Sequence, residues 1–123
     1  MRYLTSRKRA EGRGASGTGT ARHWAMTVSS VGLAFLVPTW VYIFGSALGR
    51  DHAAVVRTFS NPFVAILTAL VLVVGMRHYA MGAAVMAEDY THGSTRKMLV
   101  IFFTSLAWVI AATGLFALAR MAL

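Results

Sequence analysis

Three long apolar runs, separated by short polar stretches, dominate this 123-residue chain and dictate what it can fold into. They extend from about Thr27 to Leu48, from Pro62 to Met86 and from Met98 to Ala119. A helix needs about 20 residues to cross a hydrocarbon core roughly 30 Å thick, so each run is long enough for one crossing. Strands are a poor alternative: polar and apolar residues do not alternate, and only a closed barrel satisfies strand edges in lipid. The expected fold is an all-α integral membrane protein with three transmembrane helices running up, down and up. Two parts are expected, a basic N-terminal arm with an interfacial segment over 1–26 and a membrane domain over 27–123.

Composition agrees. The chain is 57% hydrophobic and 13% charged, against about 25% charged in soluble domains. It has no cysteine, which excludes a disulfide framework, a thiolate-held iron–sulfur cluster and a thiol nucleophile. A net charge of +8 would point to nucleic acid in a soluble chain. Here the basic residues lie mainly outside the apolar runs, with no zinc-finger, helix-turn-helix or aromatic RNA-binding signature, so no nucleic-acid partner is expected.

The distribution of charge sets direction instead. Arg2, Arg7, Lys8, Arg9, Arg13 and Arg22 precede the first run, and Arg96 and Lys97 lie between the second and third. Only Arg50, Arg57 and Arg120 fall on the opposite side. The positive-inside rule places the N-terminus and the Glu88–Lys97 loop inside, with the first loop and the C-terminus outside. Gly12, Gly14, Gly17 and Gly19, mixed with Ser16, Thr18 and Thr20, read as an irregular surface arm. Its Arg-rich character resembles a transit peptide, but His23 and Trp24 at its close do not suit one. Asn61 before Pro62 reads as a helix cap with a first-turn proline. Pro38, inside the first run, should bend that helix or free a carbonyl.

Arg77 and His78 stand in the second run, where charged or polar groups must face protein, water or a cofactor. His78 precedes Asp89 by eleven positions, about 16 Å along a helix, and so lies well inside the hydrocarbon. On a wheel of about 100° per residue, Gly75, Gly82 and Asp89 fall within about 60° of His78. Glycines flanking the imidazole would clear space for a flat macrocycle, making His78 a candidate haem ligand. They would equally let another helix approach, leaving His78 as a hydrogen-bonded interface residue. His23, His52 and His92 all sit near interfaces, so a second axial ligand would have to come from another chain. Arg77 could reach a propionate, the bilayer edge or a partner's polar group.

At the inner boundary, Asp89 and Tyr90 pair a carboxylate with a phenol. Such a phenol can donate to a quinone carbonyl while the carboxylate orients it or relays a proton; a tyrosine there can also be an aromatic-belt anchor. His23 and Trp24 could cover that pocket or approach a propionate, or serve as an interfacial flank. Glu88 reads as a solvated or capping group at the helix exit. Trp40, Tyr42 and Trp108 read as packing or lipid contacts.

Ser16-Gly17-Thr18-Gly19 followed by His23-Trp24, and His78 followed by Gly82 and then Asp89-Tyr90, resemble the two signatures of the small D-type hydrophobic anchor subunits of bacterial succinate dehydrogenase. The resemblance covers essentially the whole chain. It implies a four-subunit complex II, in which a flavoprotein with FAD oxidises succinate and an iron–sulfur subunit passes electrons toward the membrane. It further implies a second anchor, the cytochrome b subunit, packed with this chain into a helix bundle that holds haem b. By this likeness His78 is an axial ligand of the haem iron, flanked by Gly75 and Gly82. Tyr90 and Asp89 belong to the ubiquinone site, and His23 and Arg22 are propionate or pocket contacts.

Relatives of this kind often carry a second tryptophan and then an arginine after the histidine, where this chain reads His23-Trp24-Ala25-Met26-Thr27; either Arg22, from the preceding turn, or the partner subunit would then supply the propionate contact. The implied setting is the bacterial cytoplasmic (inner) membrane in preference to the mitochondrial one, with phospholipid around the bundle and trimers of the complex left open. The chain would contribute to a quinone site without catalysing succinate oxidation itself. Competing expectations are a fumarate reductase anchor working in the quinol-oxidising direction, a cofactor-free structural or assembly subunit, and a small oligomeric transporter.

Overall fold

The computed structural model describes residues 5–11 and 19–122. Its elements are α1 (Ser6–Glu11), α2 (Gly19–Ala47), α3 (His52–Ser60), α4 (Pro62–Tyr90) and α5 (Gly93–Ala122). The three long helices have 29, 29 and 30 residues, and each is apolar enough to cross a membrane. At 1.5 Å per residue they reach about 44 Å, so their ends extend beyond the hydrocarbon into the headgroup region. The expected runs lie within them, except that Leu48 falls just past α2.

Two expectations need correction. The arm is not irregular throughout, because Ser6–Glu11 is helical and α2 already begins at Gly19, placing His23 and Trp24 on a helix. Residues 12–18, with Ser16-Gly17-Thr18 and Arg13, lie outside the described residues, as does Arg2. The first loop also contains a helix, α3, which the apolar runs alone do not announce.

Local chemistry explains the boundaries. The Asn61 side chain accepts from the backbone N–H groups of Phe63 and Val64 at 3.0 and 3.4 Å, and Pro62 occupies the first turn, where its missing N–H costs nothing. α4 closes where the Thr91 backbone N–H and hydroxyl both donate to the Ala87 carbonyl. Gly93 then turns the chain at φ 61, a left-handed value that a side chain would disfavour. α2 continues through Pro38, which removes the ladder donor for the Ala34 carbonyl.

The pairings fix the topology. Arg22 meets Glu88, Ser29 meets His78 and Trp40 meets Thr68, so α2 and α4 run antiparallel. Leu72 lies against Gly114, and Tyr79 against Phe103 at 6.2 Å between ring centroids, so α4 and α5 are antiparallel too. Up-down-up is thus observed. Buried Ala83, Ala84, Ala87, Ala107 and Ala111 make close helix approach possible, the usual basis of packing in lipid. α3 seals the end formed by the close of α2, the start of α4 and the close of α5, with Phe59 buried against Ala47 and Leu118. Large side chains such as Trp24, Phe35, Tyr42 and Trp108 face outward, as a chain surrounded by lipid or other subunits allows. Trp40 is held more firmly than a lipid contact: its indole N–H donates to Thr68 Oγ1 at 3.2 Å and its ring stacks on Phe44 at 4.8 Å.

α4 and α5 approach closely at Gly114, where a Cβ would stand 2.9 Å from Leu72 Cδ1. Gly114→Leu should destabilise the solubilised protein by about 1–3 kcal/mol through overpacking. Adding Leu72→Ala should recover part of that loss, measured as the change in Tm. A double variant no more stable than Gly114→Leu alone would show that the two side chains do not share this space.

Candidate functional site

The site begins with the one imidazole placed far from both ends of the long helices. His78 lies on α4 and faces α2, half-buried, with Nδ1 2.8 Å from Ser29 Oγ. Ser29 is buried at 7% exposure, one of two buried polar residues among those described. Its hydroxyl also lies 2.8 Å from the Ala25 carbonyl and 2.9 Å from that of Met26. Nε2 of His78 has no hydrogen bond with another described residue, and the ring leaves no sealed, unsatisfied nitrogen. The second ring nitrogen therefore opens to the surface of the three-helix unit.

Gly75 and Gly82 flank this ring as the register anticipates, on the side where α2 packs. A Cβ at Gly75 would come 3.9 Å from Leu33 Cδ2, and one at Gly82 3.9 Å from Met26 Cε. These are ordinary contact distances, so α2 does not need the glycines in order to approach. Arg77 is exposed, about 100° around the helix from His78, and forms no hydrogen bond or ion pair with another described residue.

The end formed by the start of α2 and the close of α4 holds the other candidates. Arg22 and Glu88 form an ion pair, with Arg22 Nη1 3.2 and 3.1 Å from the two carboxylate oxygens. Glu88 thus does more than solvate the helix exit, because it ties the start of α2 to the close of α4. Asp89 is exposed and makes no hydrogen bond with Tyr90, as expected for helix neighbours that point about 100° apart. Tyr90 is 81% exposed and stands on an apolar groove of about 410 Å³ lined by Ala83, Met86, Ala87, Thr91, Leu99 and Phe103. His23 is exposed on the first turns of α2, close in sequence to the Arg22 anchor.

The structure therefore brings His78, Gly75 and Gly82 together on one side of α4, and Arg22 to the exit of the same helix. It separates Asp89 from Tyr90 in direction. Ser29 was missed by the sequence reading; its only signal was a polar residue inside the first apolar run. Among the described residues, no three His, Cys, Asp or Glu side chains form a metal-binding group. Chemically, the arrangement offers a single imidazole for shared ligation and a phenol at the mouth of an apolar groove.

The Arg22–Glu88 pair is 40% exposed at both side chains, so it should contribute no more than about 1 kcal/mol. Glu88→Arg should lower Tm slightly, and the exchange of charges with Arg22→Glu should restore it. No recovery in the double variant would contradict the pairing.

Residues 1–112 match the family described as succinate dehydrogenase/fumarate reductase transmembrane subunit. The chain is also similar to a Paracoccus denitrificans protein named succinate dehydrogenase hydrophobic membrane anchor subunit. The two are 44% identical over 123 residues, which is 100% of this chain and 95% of that one. No solved structure matches.

Proposed function

The chain belongs to the succinate dehydrogenase/fumarate reductase transmembrane subunit family, and from that premise we propose that it anchors a succinate:ubiquinone oxidoreductase while contributing to haem b and quinone sites. The observation that carries this reading is His78, a mid-span imidazole with one nitrogen engaged inside the chain and the other open. An open imidazole nitrogen is the donor a haem iron requires, so the residue fits the group. His78 would bind through Nε2, and the second anchor, the cytochrome b subunit, would supply a further ligand. Gly75 and Gly82 would keep side chains away from the flanks of the ring.

When bound, haem b would supply a one-electron reservoir beside the path to quinone. Arg22 would use guanidinium N–H groups not turned to Glu88 for a propionate or the pocket wall, with His23 next to it. Arg77, exposed in the span, would meet a propionate or a polar group of the partner anchor, since an isolated charge there is costly.

At the inner end, the apolar groove beside Tyr90 suits a ubiquinone ring or its tail, and the Tyr90 hydroxyl would donate to a quinone carbonyl. Electrons would arrive from the iron–sulfur subunit, itself supplied by the flavoprotein. As two electrons and two protons convert quinone to quinol, negative charge grows on the carbonyl oxygens, and the Tyr90 O–H would stabilise it. Asp89 points elsewhere and is better suited to proton uptake from the inner aqueous phase than to orienting Tyr90.

The setting is the bacterial cytoplasmic membrane, with the N-terminus inside and the C-terminus outside, as the charge bias favours. The name of the Paracoccus relative favours the succinate-oxidising direction over fumarate reduction.

Tyr90→Phe in the assembled complex should reduce succinate–ubiquinone activity about 10-fold or more, given the usual effect of losing a donor to developing negative charge. Succinate oxidation by a soluble artificial acceptor should stay near the wild-type rate. Equal loss of both activities would place Tyr90 in assembly rather than in the quinone site.

A further inference from the structure

We infer that Ser29 fixes the tautomer of His78, holding its proton on Nδ1 so that the Nε2 lone pair is free to bind iron. The inference rests on the reading of His78 as a haem ligand and adds a positioning residue to it.

The geometry of Ser29 carries the argument. Its hydroxyl has one proton and three short neighbours: the Ala25 carbonyl at 2.8 Å, the Met26 carbonyl at 2.9 Å and His78 Nδ1 at 2.8 Å. A carbonyl oxygen can only accept, so a hydroxyl held against two of them is best satisfied by sending its single proton to one of the pair. Ser30 Oγ also lies 2.9 Å from the Met26 carbonyl and can donate there, which leaves the Ser29 proton for Ala25. With that proton directed along its own helix, Ser29 meets the imidazole as an acceptor, and Nδ1 must donate.

A neutral imidazole carries a single N–H, so Nε2 is then the bare nitrogen. The same contact orients the ring. Ser29 is buried at 7% exposure, and its back-bond to the preceding turn limits its rotamer. Donation from Nδ1–H also makes the imidazole a more basic ligand, as partners of ligating histidines generally do. The opposite tautomer would put a proton where the iron must bind.

The test uses the assembled complex with its partner subunits. Ser29→Ala removes the acceptor, and His78→Ala serves as the control for ligation itself. Ser29→Ala should retain a b-type spectrum, release haem to an external acceptor about 10-fold faster and shift its midpoint potential upward, because a less basic ligand stabilises ferric iron less. Ser29→Thr, which keeps the hydroxyl and its back-bond, should restore both values. If Ser29→Ala does not assemble, Ser29→Cys provides the same test, since a thiol is a weak acceptor of similar shape. Unchanged potential and haem retention in the variant that assembles, with haem lost in His78→Ala, would overturn the role of Ser29 and leave the ligand intact. Haem retained in His78→Ala would overturn the ligand reading and this inference together.

Discussion

A polar ring in the hydrocarbon must find its partners there, and the contact between Ser29 and His78 supplies one of the two from within the chain, at Nδ1. It also sets the relation between α2 and α4. Once Ser29 lies opposite His78, an antiparallel register carries Trp40 to Thr68 in one direction and Arg22 to Glu88 in the other. The seam has an exposed ion pair near the start of α2 and an indole–hydroxyl bond further along it. Helices in lipid gain little from hydrophobic association with one another, so such polar contacts specify register more than they add stability.

The two ends of this seam have different character. At one, α3 covers the helix termini with Phe59 and closes the bundle. At the other, the groove beside Tyr90 remains open between the last turns of α4 and the first of α5. Between them, Arg77 faces outward within a span. A charge placed there is an expense that a monomer in lipid would have no reason to carry. Together with the open Nε2 of His78, it fits a chain whose polar mid-membrane groups are completed by a partner subunit, in keeping with its membership of the succinate dehydrogenase and fumarate reductase family.

Much of the fold was legible because a membrane span is a one-dimensional signal. Length and apolarity locate the three long helices, and Asn61-Pro62 announces the start of α4. α3 was obscured because nine residues are too few for a crossing and Arg57 interrupts its apolar positions. Pairings between helices were hidden for another reason, since neither Ser29 nor Glu88 reveals its partner until register is known. His78 and its flanking glycines were visible as a pattern, but the wheel could not say that α2 lies on that side. Likewise, the adjacency of Asp89 and Tyr90 suggested cooperation, whereas helical geometry turns their side chains apart.

Everything proposed for the mid-membrane site turns on ligation of haem by the open nitrogen of His78. The most direct measurement is the dithionite-reduced minus oxidised spectrum of the gently solubilised complex, compared between wild type and His78→Ala at equal subunit content. A b-type spectrum in the wild type, lost or converted to a different ligation state in the variant, is the predicted result. An identical b-type spectrum in an intact His78→Ala complex, or no haem in an intact wild-type complex, would rule out His78 as the ligand.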